Sequence, residues 1–257
     1  LALLSAALAP ATPAATAGPK KSLGALGQAG RVDLAIIGAA GIFPGAQNVD
    51  ALWEMLHAGR DALRLFSQAE LEAKGVEYDV RRHPDFVPAA YLIEGAQYFD
   101  AGFWGISPVE AKIMDPQHRT FMQVAYHALE YAGYAPKTGT PPKTAVFASP
   151  GIDGYLIHHL DGEPLKDSLD PGSIFLGEVG SEKDYISTRV SYALDLMGPS
   201  LAVNSACSSA LSAVALAAAS LVSRQSDMAL AGGSALTFPG TGYLFEDGLV
   251  NSIDGKV

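Results

Sequence analysis

Residues 196–223 form a run of 28 positions without a single Asp, Glu, Lys or Arg. Such a stretch is stable only where something other than water covers it. Gly198-Pro199 and Asn204 interrupt it, so no uniform apolar helix of about 20 residues can be drawn through it. It reads instead as a segment buried on every side in a soluble protein. LAVN (201–204) is a strand candidate, 206–223 a helix, and DMALAGG (227–233) a second strand ended by glycines. Strand, helix, strand is a βαβ unit, predicting a parallel pair with a right-handed crossover. On the helix, Leu211, Val214, Ala218, Leu221 and Val222 point to one side and mostly Ala and Ser to the others. A helix with neighbours all round belongs in the middle of a layered α/β domain.

Upstream signals agree. VDLAIIG (32–38) and TAVFA (144–148) read as buried strands. GAAGIFPG invites a dinucleotide loop, but with Gly38 first the next two glycine positions hold Ala40 and Phe43, which argues against a cofactor. NVDALWEMLHAG (48–59) predicts a short helix capped by Asp50 and stopped by Gly59, with Leu52, Trp53 and Leu56 on one face. From 60 to 102, loops and short helical turns are expected. MDPQHRTFMQVAYHALEYAGYAP (114–136) is the strongest helix: Asp115 caps it, Pro116 takes the first turn, and Gly133 stops it. Residues 151–172 look like a loop excursion. In 183–196, Ile186, Val190 and Leu194 share a helical face behind Asp184 as a cap. Residues 11–30 have an Ala/Pro/Gly/Thr bias, so 1–31 is expected to be an interdomain linker and 32–257 the folded domain.

Composition narrows the function. With 49% hydrophobic and 17% charged residues the chain is not disordered, and a net charge of -10 argues against nucleic acid as a partner. No membrane span is expected. His118 and His127 lie nine apart on one helix, hence on different faces, and adjacent His158 and His159 diverge; neither pair suggests a metal site. A single cysteine cannot form an internal disulfide and suits a reducing compartment, the cytoplasm or a plastid.

That cysteine, Cys207, falls where a strand turns into a helix. Such a turn lies at the carboxyl end of a sheet, where open α/β sheets bind ligands. Unpaired N–H groups of a first helical turn stabilise a thiolate and can hold an oxyanion. From residues alone a nucleophile and a buried structural thiol both remain open, since burial without charged partners works against the thiolate.

At this point a resemblance enters. GPSLAVNSACSSALSAVALA resembles the nucleophile segment of β-ketoacyl synthases, above all the ketosynthase domains of modular polyketide synthases. Four further stretches agree in order: VDLAIIGAAGIFPGAQNVDALWEML, FDAGFWGISPVEAKIMDPQHRTFMQVAYHALEYAGY, EKDYISTRVSYALDLMGPS and DMALAGGSALTFPGTGYLFEDGLVNSIDGKV. The resemblance implies a thiolase-like α/β/α/β/α fold, of which this chain would be the N-terminal part. It implies a homodimer, an acyl carrier protein partner and neighbouring synthase domains. No directly bound cofactor is implied; substrates arrive on the carrier's phosphopantetheine. Cys207 would take the acyl chain as a thioester, with its own backbone N–H as oxyanion donor. The chain then passes to a malonyl-type extender with loss of CO2, a decarboxylative Claisen condensation in polyketide or fatty acid biosynthesis.

Two departures shape the expectation. Asn204-Ser205 stand where the family usually has an acidic or amide residue and Thr, a change that keeps a hydroxyl. None of His57, His83, His118, His127, His158 or His159 matches the family's two catalytic histidines, so the chain is expected not to complete condensation alone. Competing readings are a non-elongating ketosynthase-like domain that passes acyl chains, a thiolase or starter-type synthase acting on coenzyme A thioesters, and a serine hydrolase using Ser205, Ser208 or Ser209. The last lacks a G-x-S-x-G elbow.

Overall fold

The computed structural model describes residues 4–10, 33–134, 142–158, 160 and 171–256. Its elements run β1 (Leu4–Pro10), β2 (Leu34–Ala40), α1 (Val49–His57), β3 (Arg64–Leu65), α2 (Gln68–Ala73), α3 (Tyr78–Arg81), β4 (Phe86–Val87), β5 (Ala89–Ala90), α4 (Ala101–Trp104), α5 (Pro108–Ile113) and α6 (Pro116–Tyr131). Then follow β6 (Thr144–Pro150), α7 (Gly154–His158), α8 (Pro171–Ser181), α9 (Tyr185–Leu194), β7 (Ser200–Ala202), a 3-10 turn (Ala206–Ser208), α10 (Ser209–Val222), β8 (Met228–Ser234) and β9 (Tyr243–Leu244). A five-stranded sheet has the order β2-β1-β8-β6-β7. β6 is parallel to β7 and β8, and β1 is antiparallel to both its neighbours.

Period-two burial explains the layers. β6 is buried along its whole length, and its alternate side chains serve two cores. Val146 and Ala148 join Met228 and Leu230 of β8 against Phe121, Met122, Ala125 and Leu129 of α6 and Ile186, Val190 and Leu194 of α9. Ala145 and Phe147 join Ala229 and Ala231 against Ala213, Ala217 and Leu221 of α10. The described residues thus supply three of the expected layers: helices α6 and α9, the sheet, and α10.

Asp115 caps α6 through its Oδ1, which accepts the Gln117 N–H at 2.7 Å, with Pro116 in the first turn. Ile186, Val190 and Leu194 are buried together, as their spacing predicts. β7 enters beside β6 through Gly198, whose N–H donates to the Thr144 carbonyl at 2.8 Å. A β-carbon at 198 would lie 2.5 Å from the Thr144 and Ala145 backbone, so only glycine fits that approach.

Several expectations are corrected. β7 and β8 are parallel but not adjacent, because β6 lies between them; a strand as apolar as TAVFA needs partners on both edges. The helix face differs as well, although Leu221 is buried as expected. α10 seats its small residues Ala213 and Ala217 with Leu221 on the sheet, allowing close approach, while Leu211 (73% exposed), Leu216 and Val222 face outward. Asn48, not Asp50, caps α1, its Oδ1 accepting the Ala51 N–H at 2.7 Å. The excursion at 151–172 contains α7 and the start of α8. Within the stretch expected to be linker, Leu4–Pro10 forms a strand of the main sheet, and residues 11–32 lie outside the described residues. Among the described residues no helix is long and apolar enough to cross a membrane.

Candidate active site

The carboxyl ends of β6, β7 and β8 converge, and Cys207 lies just beyond β7. Val203 N–H donates to the Ala148 carbonyl at 2.8 Å, extending the β6–β7 pairing toward the turn. The chain then bends sharply: Ala206 has φ 53, a left-handed conformation that costs a residue with a β-carbon of order 1 kcal/mol. Cys207 occupies the 3-10 turn before α10 and is exposed, its thiol free. The predicted strand-to-helix position therefore holds, with a 3-10 turn in place of the first α-turn.

Serine hydroxyls hold this bend. Ser209 Oγ accepts the Ser205 N–H at 2.9 Å and donates to the Ala206 carbonyl at 2.7 Å. Ser208 Oγ donates to the Ser205 carbonyl at 2.8 Å, and Ser205 Oγ donates to Ser212 Oγ at 3.0 Å. Such bonds satisfy groups left unpaired at a helix start and oppose the strain at Ala206. Ser205 and Ser208 are thus bonded within the turn, and the described residues place no histidine in hydrogen-bond contact with them.

At the start of α6 lies a buried polar hub that the sequence pattern does not announce. Gln117 is fully buried. Its Nε2 donates to Asp115 Oδ2 at 3.2 Å and to the Ile152 carbonyl at 3.1 Å. Its Oε1 accepts N–H groups from Gly151 at 2.8 Å and Leu236 at 3.2 Å. One side chain so uses both donors and both lone pairs to join the start of α6 to the loops leaving β6 and β8. In DPQHR only the capping role is legible from local pattern; a polar Gln in the first turn of a largely buried helix is the one further signal.

Charge around the hub is shaped by burial. Burial raises the Asp115 carboxyl, and its bonds to Gln117 work the other way. Asp153, after β6, is pushed up to about 6 by burial above all, then by the negative charges of Glu182 and Asp115, with Lys183 opposing. His118 is lowered to about 3 by burial and by Arg189, and its Nδ1 has no hydrogen-bond partner. Arg189 in turn bridges α9 to Glu110 at 2.7 Å and to the Val179 carbonyl at 2.8 Å.

The remaining histidines stand apart from the hub. His127 faces outward on α6, its Nδ1 3.1 Å from Glu130 Oε2, so the two α6 histidines do occupy different faces. His57, His83 and His158 are exposed, and His159 lies outside the described residues. Among the described residues no group of three or more His, Cys, Asp or Glu could hold a metal ion.

Comparison with known proteins identifies the family and the fold. Residues 32–251 match the family described as "Beta-ketoacyl synthase, N-terminal domain". The chain is 42% identical over 230 residues to a component of the phenolphthiocerol/phthiocerol polyketide synthase of Mycobacterium tuberculosis, covering 86% of this chain and 15% of that protein. It is 38% identical over 225 residues to polyketide synthase PksN of Bacillus subtilis, covering 87% of this chain and 4% of that one. Among solved structures, ketosynthase twelve of the bacillaene polyketide synthase of Bacillus amyloliquefaciens superposes with a TM-score of 0.75 at 37% identity, covering 86% of this chain and 38% of that chain. A second ketosynthase of that synthase, from module 1, gives 0.67 at 32% identity over 85% of this chain and 36% of its own. The fold is therefore that of a ketosynthase, as the resemblance implied.

Proposed function

Since the chain belongs to the β-ketoacyl synthase family, through its N-terminal domain, we propose that it carries the acyl-accepting half of a polyketide ketosynthase, with Cys207 as nucleophile. The observation that carries this reading is the exposed thiol on a strained turn at the carboxyl end of the sheet. The Cys207 sulfur attacks the carbonyl of an acyl thioester on the phosphopantetheine of an acyl carrier protein. The Cys207 N–H, at the positive end of α10, stabilises the oxyanion. Collapse expels the phosphopantetheine thiol and leaves the acyl chain on sulfur. In the complete reaction a malonyl-type extender then loses CO2, and its carbanion displaces Cys207 to give the β-ketoacyl carrier.

Decarboxylation needs hydrogen-bonding help at the extender's carbonyl and carboxylate. Among the described residues, His118 is sealed in the core and the other histidines stand on outer surfaces away from the hub. The described residues thus support the acyl-loading half of the reaction.

The partner reading has its own support. β7 closes one edge of the sheet, and its Leu201 is exposed, as are Met197 and Tyr192 nearby. An exposed edge strand flanked by apolar side chains suits pairing with a second ketosynthase as a homodimer.

The test is intact-protein and peptide mass spectrometry after incubation with a short acyl-phosphopantetheine thioester. One acyl group is expected on the peptide spanning residues 190–224, and none in Cys207→Ala. Absence of loading, or loading that survives this substitution, rejects the assignment.

A further inference from the structure

The serines of the Cys207 turn differ in what could replace them. Ser205 and Ser208 are exposed, as are Cys207 and Ala210, whereas Ser209 is buried at 9%. Water can stand in for a lost hydroxyl at an exposed position. At Ser209 the hydroxyl is the group that the backbone depends on.

Its two bonds fall on either side of the strained backbone. Ser209 Oγ accepts the Ser205 N–H at 2.9 Å and donates to the Ala206 carbonyl at 2.7 Å. Between that N–H and that carbonyl lie the φ and ψ of both residues and no other soft torsion. These are the torsions that leave regular structure: Ser205 has φ -139 and ψ 40, and Ala206 has φ 53. One oxygen atom therefore closes a ring around the strained pair. The Ser209 N–H donates to the same Ala206 carbonyl and ties the ring to the start of α10.

Cys207 follows this ring directly, so the torsions inside it set where its sulfur and its N–H point. A hydroxyl can accept and donate at one atom, and a methyl can do neither. We infer that Ser209 is a positioning residue for Cys207: it holds the thiol and the Cys207 N–H in register for one acyl carbonyl. The inference rests on the reading of Cys207 as the acyl acceptor and names the side chain that sets its geometry. Acyl transfer needs sulfur and oxyanion donor aligned together, and a misplacement of about 1 Å costs on the order of a hundredfold. Alkylation by iodoacetamide needs only an accessible thiolate. The two reactions separate aim from exposure.

The test compares the parent chain with Ser209→Ala, Ser209→Thr and Ser223→Ala. Ser223 stands at the other end of α10, its hydroxyl donating to the Ala219 carbonyl at 2.7 Å, and controls for loss of a helix serine. In Ser209→Ala, loading from a saturating short acyl-phosphopantetheine thioester should slow at least about tenfold. The half-saturating thioester concentration and the iodoacetamide rate should stay within about twofold of the parent. Ser209→Thr, which keeps the hydroxyl, and Ser223→Ala should load as the parent does. Hydrogen exchange at the Ser205 amide reads the clamp itself: it should quicken at least about tenfold in Ser209→Ala and return in Ser209→Thr. Ala206→Gly with Ser209→Ala relieves the strain and guards against misfolding of the single variant; it should also load at least about tenfold slower than the parent. Loading at parent speed in either Ser209→Ala chain overturns the inference. So does an iodoacetamide rate that falls as far as loading, an unchanged Ser205 exchange, or a Ser209→Thr chain as slow as Ser209→Ala. A parent chain that does not load at all is a different failure: it rejects the reading of Cys207, and the positioning role with it.

Discussion

Gln117 Oε1 accepts the Gly151 N–H at 2.8 Å, and the same oxygen lies 2.8 Å from where a β-carbon on Gly151 would stand. One atom is both the anchor of the loop after β6 and the reason that loop tolerates no side chain there. Gln117→Ala would strand the Gly151 and Leu236 N–H groups and open a cavity. Unsatisfied buried donors cost about 1–3 kcal/mol each, so a loss of roughly 2–4 kcal/mol is expected in urea denaturation. Gly151→Ala should fall in the same direction, and combining the two should cost less than their sum, because they disturb one contact.

The turn at Ala206 gives a second prediction. At φ 53, Gly is at ease where Ala is strained. Ala206→Gly should raise the melting temperature slightly, by about 1 kcal/mol of stability at most. It should also slow acyl loading at Cys207, because a looser turn presents the thiol in more orientations. Loading as fast as in the parent chain would show that the strain has no part in positioning the sulfur.

The outward apolar side chains predict self-association. Leu201 is 53% exposed on the edge strand, and Leu211 is 73% exposed on α10. Leu201→Lys should weaken dimers measured by light scattering while leaving the circular dichroism unchanged. Leu211→Glu should reduce binding of an apolar dye. Dimers as tight in Leu201→Lys as in the parent chain would move the pairing surface elsewhere.

Two titrations, of buried His118 and half-buried Asp153, pull stability in opposite directions below neutral pH. His118 is held neutral in the fold, lowered from 6.5 to about 3. The unfolded chain therefore binds its proton first, and stability is lost as pH falls below 6.5. Asp153 is raised from 3.8 to about 6, so its contribution is present below 3.8 and is lost as pH rises through about 6. His118→Gln should flatten the acid side of a plot of urea midpoint against pH. Asp153→Asn should raise the midpoint at pH 7–8 and leave it unchanged below about pH 4. An acid limb unaltered in His118→Gln would assign it to other groups.

Much of the layered core is legible in the sequence, because it rests on strong local signals. Asp115-Pro116 marks one helix start, Ile186, Val190 and Leu194 mark a buried stripe, and Cys207 sits at the strand-to-helix turn as expected. What escapes depends on distant partners. The place of β6 between β7 and β8 follows from sheet pairing across more than 50 residues. The inward face of α10 differs from the expected one because volume, not hydrophobicity alone, decides which residues meet a sheet closely: Ala213 and Ala217 fit where Leu211 does not. Gln117 is invisible as a hub because its four partners lie on three separate segments.

The tight passage at Gly198 has a reach beyond its own neighbourhood. β7 is a single short strand between that passage and the thiol turn, so any methyl at 198 must push the strand bodily away from Thr144 and drag Cys207 with it. The aim of the sulfur is thus set from the far end of the strand, and substitution there would silence the thiol while leaving every atom of its turn chemically intact.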